Sequence, residues 1–533
     1  MTNRIERFLT IPDIISGTKF IAHLPSFLRR PVTASEARRV LPARLENRES
    51  DFLRLAAKGI YANPASPYRR MLELAGCQYG DLARLVHGEG LEPALRALFR
   101  SGVYLSVQEY KGRVPTLRAG STIDVNPAAL SNPLSQSHLR LHTSGSSGRS
   151  LAVPVDLAFI RERSVNNRLL VEARGGSSWD FAVWGIPGNT DMVRVLELCG
   201  SGAGCVRWFS QVRSDAPSLH PRYRWSIRLM RWAAGWAGRN LPRPEYVSLR
   251  DPSPIIRWLR AVLNSGRIPH LTTWVSSAIG ICRAASSLGI DLSGTQFTVG
   301  GEPLTAARLD MIHKSGAVAV PRFMSVESGY IGYGCLNPDA PDDYHSINDF
   351  TAVIQAGPEA ARRGLPAEAL LLTSLRPASP FILLNVSLGD QARLGQRSCG
   401  CPLEKLGWAN HLCQVRSFEK LTSGGMTFLD RDIVLVLEKI LPSRFGGTPV
   451  DYQLVEEQTE EGRPQLLLLI SPEVGRLDEA RVLEYFYESI GRGSGAERVM
   501  SLQWRSAGLI SVRRQRPRAT QTGKILHLLK TSK

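Results

Sequence analysis

The sequence predicts an α/β protein in two parts, a large multi-layer α/β domain followed by a small α+β domain, and three observations carry that reading. The first is length: 533 residues exceed the size at which a single hydrophobic core keeps growing. The second is alternation. Between about 138 and 394, apolar β-leaning runs such as 181–186 and 297–299 alternate with longer helical patterns, the texture of a parallel or mixed sheet covered by helices. The third is a change after Cys401, where short strands and amphipathic helices follow one another closely.

Taken in order, residues 1–49 read as an N-terminal extension. Residues 50–113 place Leu53, Leu55, Ala56 and Ile60 at helical spacing, which predicts a helical lead-in to a large domain over 50–416. A boundary near 416–418 opens the small domain, 417–533. There, 426–429 reads as a short strand, 431–440 as an amphipathic helix, 452–457 and 465–470 as strands, and 477–490 as a helix. Neither internal repeats nor low-complexity blocks stand out.

Composition narrows the function classes. Hydrophobic residues at 43% and charged residues at 21% fit a folded enzyme and not a disordered chain. The net charge of +18, with seven Lys or Arg and no acid in 511–533, favours anionic partners. No RNP, zinc-finger or helix-turn-helix signature is evident, so nucleic acid is not expected as the partner. Eight cysteines in so long a chain do not form a disulfide scaffold, and a cytoplasmic setting is expected. No run of about 18 apolar residues reads as a membrane span. Two segments still allow peripheral membrane contact: 5–30, and 225–239 with Trp225, Trp232 and Trp236 among arginines. Tryptophans at helical spacing more often cover a core, and that is the expectation here. A homodimer is allowed.

The strongest local signal is Thr143-Ser144-Gly145-Ser146-Ser147-Gly148, directly after the apolar run 139–141. Glycines let backbone amides approach an anion, and hydroxyls add donors to phosphate oxygens. A flexible Gly/Ser turn has the same composition, and the Lys-Ser/Thr ending of a P-loop is missing. Further short motifs follow in order: Gly300-Gly301-Glu302-Pro303, then 323–327 ending in Glu327, Gly389-Asp390, Arg416, and Gly523-Lys524. Each alone could be a turn or an ordinary surface charge.

Together, in this order and spacing, they resemble the acyl-adenylate-forming superfamily, and most closely its phenylacetate-coenzyme A ligase branch with capsule-associated relatives; the likeness covers most of the chain from about residue 50. The resemblance implies that 143–148 hold ATP phosphates and that 300–303 line the adenine pocket. It implies that Glu327 helps to hold Mg2+, a task suited to carboxylate oxygen. Asp390 and Arg416 would meet the ribose, and Lys524 would be the adenylation lysine on the mobile domain, with Glu419 near the hinge. Lys524 would stabilise charge developing between the attacking carboxylate and the α-phosphate. By the same likeness the acid would face 184–189, 271–278 and the turn at Gly300, where Trp274, Val275 and Ala278 suggest an apolar pocket for an aromatic or fatty acyl group, although core packing explains them equally well.

The motifs also depart from the family. Its aromatic-Gly-x-Thr/Ser-Glu appears as Phe323-Met324-Ser325-Val326-Glu327, its Arg-Tyr-x-Thr-Gly-Asp as Asn385-Val386-Ser387-Leu388-Gly389-Asp390, and its Gly-Arg as Val415-Arg416. Unusual substrate geometry or weakened activity follows as an alternative.

Cys335 and His345, with Cys399 and Cys401 just past Asp390, form a Cys3His set suited to a structural tetrahedral Zn2+. The plain alternative is four separately buried side chains. Members of the resembled branch carry zinc at a similar arrangement. The absence of a Gly-x-Ser-x-Gly elbow argues against a hydrolase. The expectation is therefore ATP-dependent activation of a carboxylic acid and transfer to a thiol, coenzyme A first among the candidates. The alternatives are transfer to an amine, a sugar or a protein, or a nucleotide-binding scaffold without turnover.

Overall fold

The computed structural model describes residues 11–136, 138–142, 151–186, 190–213, 221–418, 422–423, 426–427, 430–458, 464–490, 505, 510–520 and 523–530. Six strands, β1 (Asp180–Gly185), β2 (Arg207–Ser210), β3 (Pro244–Tyr246), β4 (Pro269–Trp274), β5 (Gln296–Gly300) and β6 (Val318–Ser325), lie parallel in the order β3-β2-β1-β4-β5-β6. Strands β7 (Gly329–Gly334), β8 (Tyr344–Ser346), β9 (Asp390–Gln396) and β10 (Asn410–Ser417) extend this sheet antiparallel in the order β7-β8-β10-β9. β1 and β4 are buried along their whole length, as expected for strands covered on both faces.

Helices supply that cover. Helices α1 (Ile11–Arg29), α2 (Leu157–Ala173) and α3 (Thr190–Gly200) pack together on one face, where Phe181 and Val183 join the main core. On the other face, Ala182, Trp184 and Leu271 meet the helix Ser253–Asn264 and α5 (Val275–Ser287). A further crossover, α4 (Pro221–Trp236), links β2 to β3 and packs along α1. Phe20, Leu24, Phe27, Leu28, Val32, Ala37 and Leu41 are all buried in the main core, so residues read as an extension are integral to it. The expected helical lead-in appears as the helices Arg48–Ala56, Pro67–Leu74, Tyr79–Glu89 and Leu91–Arg100.

Beyond β10 a separate four-stranded sheet has its own core. β11 (Tyr452–Gln458) and β12 (Pro464–Ile470) are antiparallel, and β13 (Ile510–Arg514) and β14 (Leu528–Lys530) flank them in parallel. Leu454, Leu466, Leu468 and Ile470 pack there against Val482 and Phe486 of the helix Glu479–Ile490. The expected strands and helices of this region are thus present within a few residues of their expected limits.

Candidate functional site

The order of the parallel strands reverses between β1 and β4, and such a switch point opens a crevice at the carboxyl ends of the strands. The strands end there at Gly185, Trp274 and Gly300. Gly301 follows with φ +77°, and a Cβ on it would come within 2.5–2.8 Å of the Trp274 ring and the Lys524 side chain. Only glycine lets these three segments meet so closely.

Lys524 reaches this crevice from the C-terminal sheet. Its Nζ lies 4.8 Å from the centre of the Trp274 ring, a cation–π distance. The loop carrying it is closed by Thr520, whose backbone N–H donates to the Lys524 carbonyl at 2.8 Å and whose Oγ1 accepts from the Lys524 N–H at 3.1 Å. One residue on, the Ile525 N–H donates to Glu302 Oε1 at 2.8 Å. The Glu302 carboxylate also accepts from the Ser276 backbone N–H at 2.7 Å and from its hydroxyl at 2.8 Å, and lies 3.5 Å from Arg308. Glu302 therefore joins the turn after β5, the start of α5 and the lysine loop. Burial pushes its pKa up, against the pull of Arg308 and these donors.

A second buried group holds the same two units together. Arg308 Nε lies 2.6 Å from Glu438 Oε1, and His527 Nε2 lies 2.6 Å from that same oxygen. The Thr305 hydroxyl donates to the other Glu438 oxygen. Burial alone would raise the Glu438 pKa, but the charge of Arg308 prevails and holds it at about 2. Burial, with Arg308 beside it, pushes the His527 pKa down. No sequence signal pointed to Arg308, Glu438 or His527, which lie 130 and 219 residues apart along their contacts and match no short pattern.

The other expected site residues sit on the antiparallel side. Asp390 and Arg416 occupy adjacent strands, with Gln391 opposite Arg416 and Asp390 opposite Ser417, so the register places both residues at one end of the β9/β10 pair. Arg416 Nη1 donates to Asp342 at 2.7 Å. Glu327 occupies the β6–β7 turn, buried, and accepts from the Tyr110 hydroxyl at 3.4 Å; burial pushes its pKa up. Ser325, between the two departures Met324 and Val326, has its Oγ 2.9 Å from that of Ser328 and accepts the Ser328 N–H at 2.9 Å, so it closes this turn. Asn385, another departure, has φ 52° and donates to the carbonyls of Leu95 and Val103, tying the helical lead-in to the sheet. Residues Thr143, Ser144, Gly145, Ser146, Ser147 and Gly148, and Glu419, lie outside the described residues; the strands bracketing the loop, Leu139–His142 and Ala152–Val155, pair antiparallel.

The expected apolar acid wall divides between the faces of the sheet. Trp184, Leu271, Val275 and Ala278 belong to the core under α5, so packing explains them. On the face of Trp274, a small cavity beneath α2 and α3 is lined by polar groups, among them Asn167, Arg194, Glu197, His270, Thr298 and Arg322. Arg194 lies 4.6 Å over the Trp274 ring and pairs with Asp191 at 3.0 Å, whose pKa burial raises to about 6.

Cys335, His345, Cys399 and Cys401 do converge. All their ligand atoms lie within 4.8 Å of one another, and all four residues are buried. Cys335 and Cys401 sulfurs are 4.0 Å apart, and His345 Nε2 lies 3.1 Å from Cys401 and 3.6 Å from Cys399. A tetrahedral zinc with metal–sulfur bonds of about 2.3 Å requires edges of roughly 3.5–3.8 Å, so the donor set fits. His345 Nδ1 lies 2.5 Å from the Trp408 carbonyl, the outer contact that orients a ligating imidazole. Burial lowers the His345 pKa to about 4, keeping the ring neutral, as a metal ligand must be.

No family model matches the sequence, and no curated protein matches it. Among solved structures, 2-hydroxyisobutyryl-CoA ligase in the postadenylation state in complex with 2-HIB-AMP is 15% identical. It covers 94% of this chain and 91% of its own length, with a TM-score of 0.52. The same ligase in the same state with R3-HIB-AMP is 15% identical over the same shares, with a TM-score of 0.51. The fold is that of the adenylate-forming ligases. The topology agrees with the fold class expected from the sequence, and the crevice at the β1/β4 switch point lies on this ligase fold at the place that the Lys524 loop meets.

Proposed function

We propose that this protein activates a carboxylic acid with ATP, forming an acyl-adenylate and releasing pyrophosphate, and then passes the acyl group to a thiol, coenzyme A in the first instance. The observation that carries the reading is the position of Lys524, held over Trp274 at the strand-end crevice by the Glu302–Ile525 hydrogen bond. A cation brought from a second sheet to the switch point suits a transition state in which negative charge builds on an α-phosphate. The similarity to structures bearing acyl-AMP points the same way, and the motif spellings favour the phenylacetate-coenzyme A ligase branch.

In this reading the large domain is 50–416 and the small mobile domain is 417–533, with Glu419 at the hinge. The acid's carboxylate oxygen attacks the α-phosphate; the bond to pyrophosphate breaks, and Lys524 Nζ stabilises the charge on both sides. Gly300, Gly301, Glu302 and Pro303 border the adenine, residues 143–148 hold the phosphates, and Asp390 and Arg416 take the ribose, Arg416 exchanging Asp342 for a sugar hydroxyl. Glu327 would hold Mg2+, a task suited to a carboxylate oxygen; the ion would neutralise phosphate charge. The Cys3His set would hold Zn2+ as a staple, since four protein ligands leave no open position. Release of the Glu302–Ile525 and Arg308–Glu438 contacts would then let the small domain turn for attack by the thiol.

Pyrophosphate release with hydroxylamine trapping, across a panel of aromatic, fatty and hydroxylated acids, tests the proposal. Acid-dependent release that falls by about 10²–10³-fold in Lys524→Ala is expected. Nucleotide binding without acid-dependent release, or equal release by wild type and variant, would refute it in favour of a scaffold.

A further inference from the structure

Helix α4 has two apolar faces and only one is covered. Ile227, Met230, Ala233, Ala234 and Ala237 turn inward, and Met230, Ala233 and Ala234 are fully buried in the main core against α1 and its surroundings. The opposite line runs Trp225, Leu229, Trp232, Trp236, a spacing of four, three and four that keeps one side of a helix facing outward. These side chains are 56%, 44%, 52% and 60% exposed. The expectation that the tryptophans cover a core is therefore corrected: the small residues do that, because alanines let α4 lie close on α1. Trp232 and Trp236 pack with ring centres 4.1 Å apart and planes tilted by 50°, which concentrates the exposed area into one ridge.

The border of the ridge is basic. Residues 221–243 contain six arginines and no acid. Among the described side chains, Arg228 lies 5.6 Å over the Trp225 ring, Arg239 is exposed at the end of the ridge, and Arg29 of α1 donates to the Trp236 carbonyl. Lys19 and Arg30 are exposed on or beside α1. An exposed apolar ridge of this kind calls for a partner. A second copy would set arginine against arginine across a two-fold axis. A nucleic acid would use the arginines but leave the indoles in water. Indoles flanked by guanidinium groups match the boundary between lipid headgroups and acyl chains, where Trp concentrates and cations meet anionic lipid.

We infer that α4 docks this protein on the surface of an anionic lipid bilayer, lying in the interface with Trp225, Leu229, Trp232 and Trp236 inserted and Arg228 and Arg239 on the headgroups. No helix among the described residues is long and apolar enough to cross a membrane, so the contact is peripheral.

Flotation of the full chain with vesicles of phosphatidylcholine containing 30% phosphatidylglycerol tests this, against pure phosphatidylcholine vesicles, with sedimentation velocity alongside. Wild type is expected to float with the anionic vesicles and to release as salt rises. Trp225→Ser/Trp232→Ser/Trp236→Ser should bind at least tenfold more weakly, with unchanged circular dichroism. Arg228→Gln/Arg239→Gln should lose roughly fivefold per arginine on anionic vesicles only. No flotation by wild type, or a wild-type dimer that the triple substitution converts to monomer without any vesicle binding, would overturn the inference. So would equal binding by wild type and the triple variant. None of these residues belongs to the adenylation site, so acid-dependent pyrophosphate release in solution stands or falls separately.

Discussion

Two buried polar clusters sit at different places on the ten-stranded sheet, one toward its antiparallel edge and one beyond the central strand β5, and they are built for different purposes. The Cys335, His345, Cys399 and Cys401 cluster lies within one packing unit, joining the end of β7, β8 and the loop between β9 and β10. The Arg308, Glu438, His527 and Glu302 cluster lies between the main sheet and the C-terminal sheet. The first uses soft donors that match a single ion and leave no ligand position over. The second uses ion pairs, whose desolvation cost nearly offsets their attraction, so the contact holds when complete and weakens sharply when one partner is lost. A staple suits a part that never moves. A clasp suits one that must let go.

Removing the staple should have the largest effect. With zinc bound at one equivalent per chain, as metal analysis should find, chelation or Cys401→Ser is expected to lower stability by more than about 5 kcal/mol, a part of the roughly 10–16 kcal/mol that structural zinc supplies elsewhere. Unfolding of the main unit in denaturant reads this. A wild type without zinc whose melting ignores chelator would erase the distinction between the clusters.

Breaking the clasp should cost less and act elsewhere. Glu438→Gln removes the nearer carboxylate from buried Arg308 and leaves Glu302 at 3.5 Å, so about 3 kcal/mol of docking should be lost. Hydrogen exchange should rise in 300–310 and 523–530 while zinc content and the core of the main sheet stay unchanged. The pH dependence has a fixed sign. Glu438 is held at about 2, below the ordinary carboxylate value, so its contribution is complete above about 4.5 and is lost as pH falls toward 2. His527 is also pushed down, so its neutral form supports docking fully above about 6.5, and that support declines in acid. Docking should therefore loosen as pH drops below about 6.5, and His527→Gln should flatten the upper part of that profile. Docking that tightens in acid would contradict the clasp.

These clusters also show what a sequence can display. Cys399 and Cys401 sit on one turn, and thiolate with imidazole is an uncommon donor set, so chemistry announced the staple before geometry did. The alternation of β-runs and helical patterns displayed the parallel sheet because β1 is buried on both faces and most of its residues are accordingly apolar. Arg308 and His527 carry no such mark: an arginine on a helix and a histidine before a strand are ordinary until folding sets them 3.0 Å apart. Trp274 was legible as a residue, but the periodicity of a strand does not say which face also carries Arg194 and His270. For α4, helical spacing located the tryptophan face but could not decide between core and surface, because alanines make up most of the inward face beside Ile227 and Met230 and leave little hydrophobic signal.

The smallest effect is the most discriminating for Lys524. If the Trp274 ring positions the ammonium, Trp274→Leu removes a cation–π contact worth about 0.5–2 kcal/mol and should slow adenylation roughly 2- to 30-fold. Trp274→Phe keeps an aromatic face and removes an indole N–H that is buried without a hydrogen-bond partner among the described residues. It should therefore stay within a few-fold of wild type in rate, and the small cavity it leaves should appear in stability instead. The ring also supports Arg194 at 4.6 Å, so the two substitutions separate aromatic positioning from wall packing. Equal slowing by Leu and Phe would assign Trp274 to shape alone, and would leave the Glu302–Ile525 hydrogen bond as what aims the lysine.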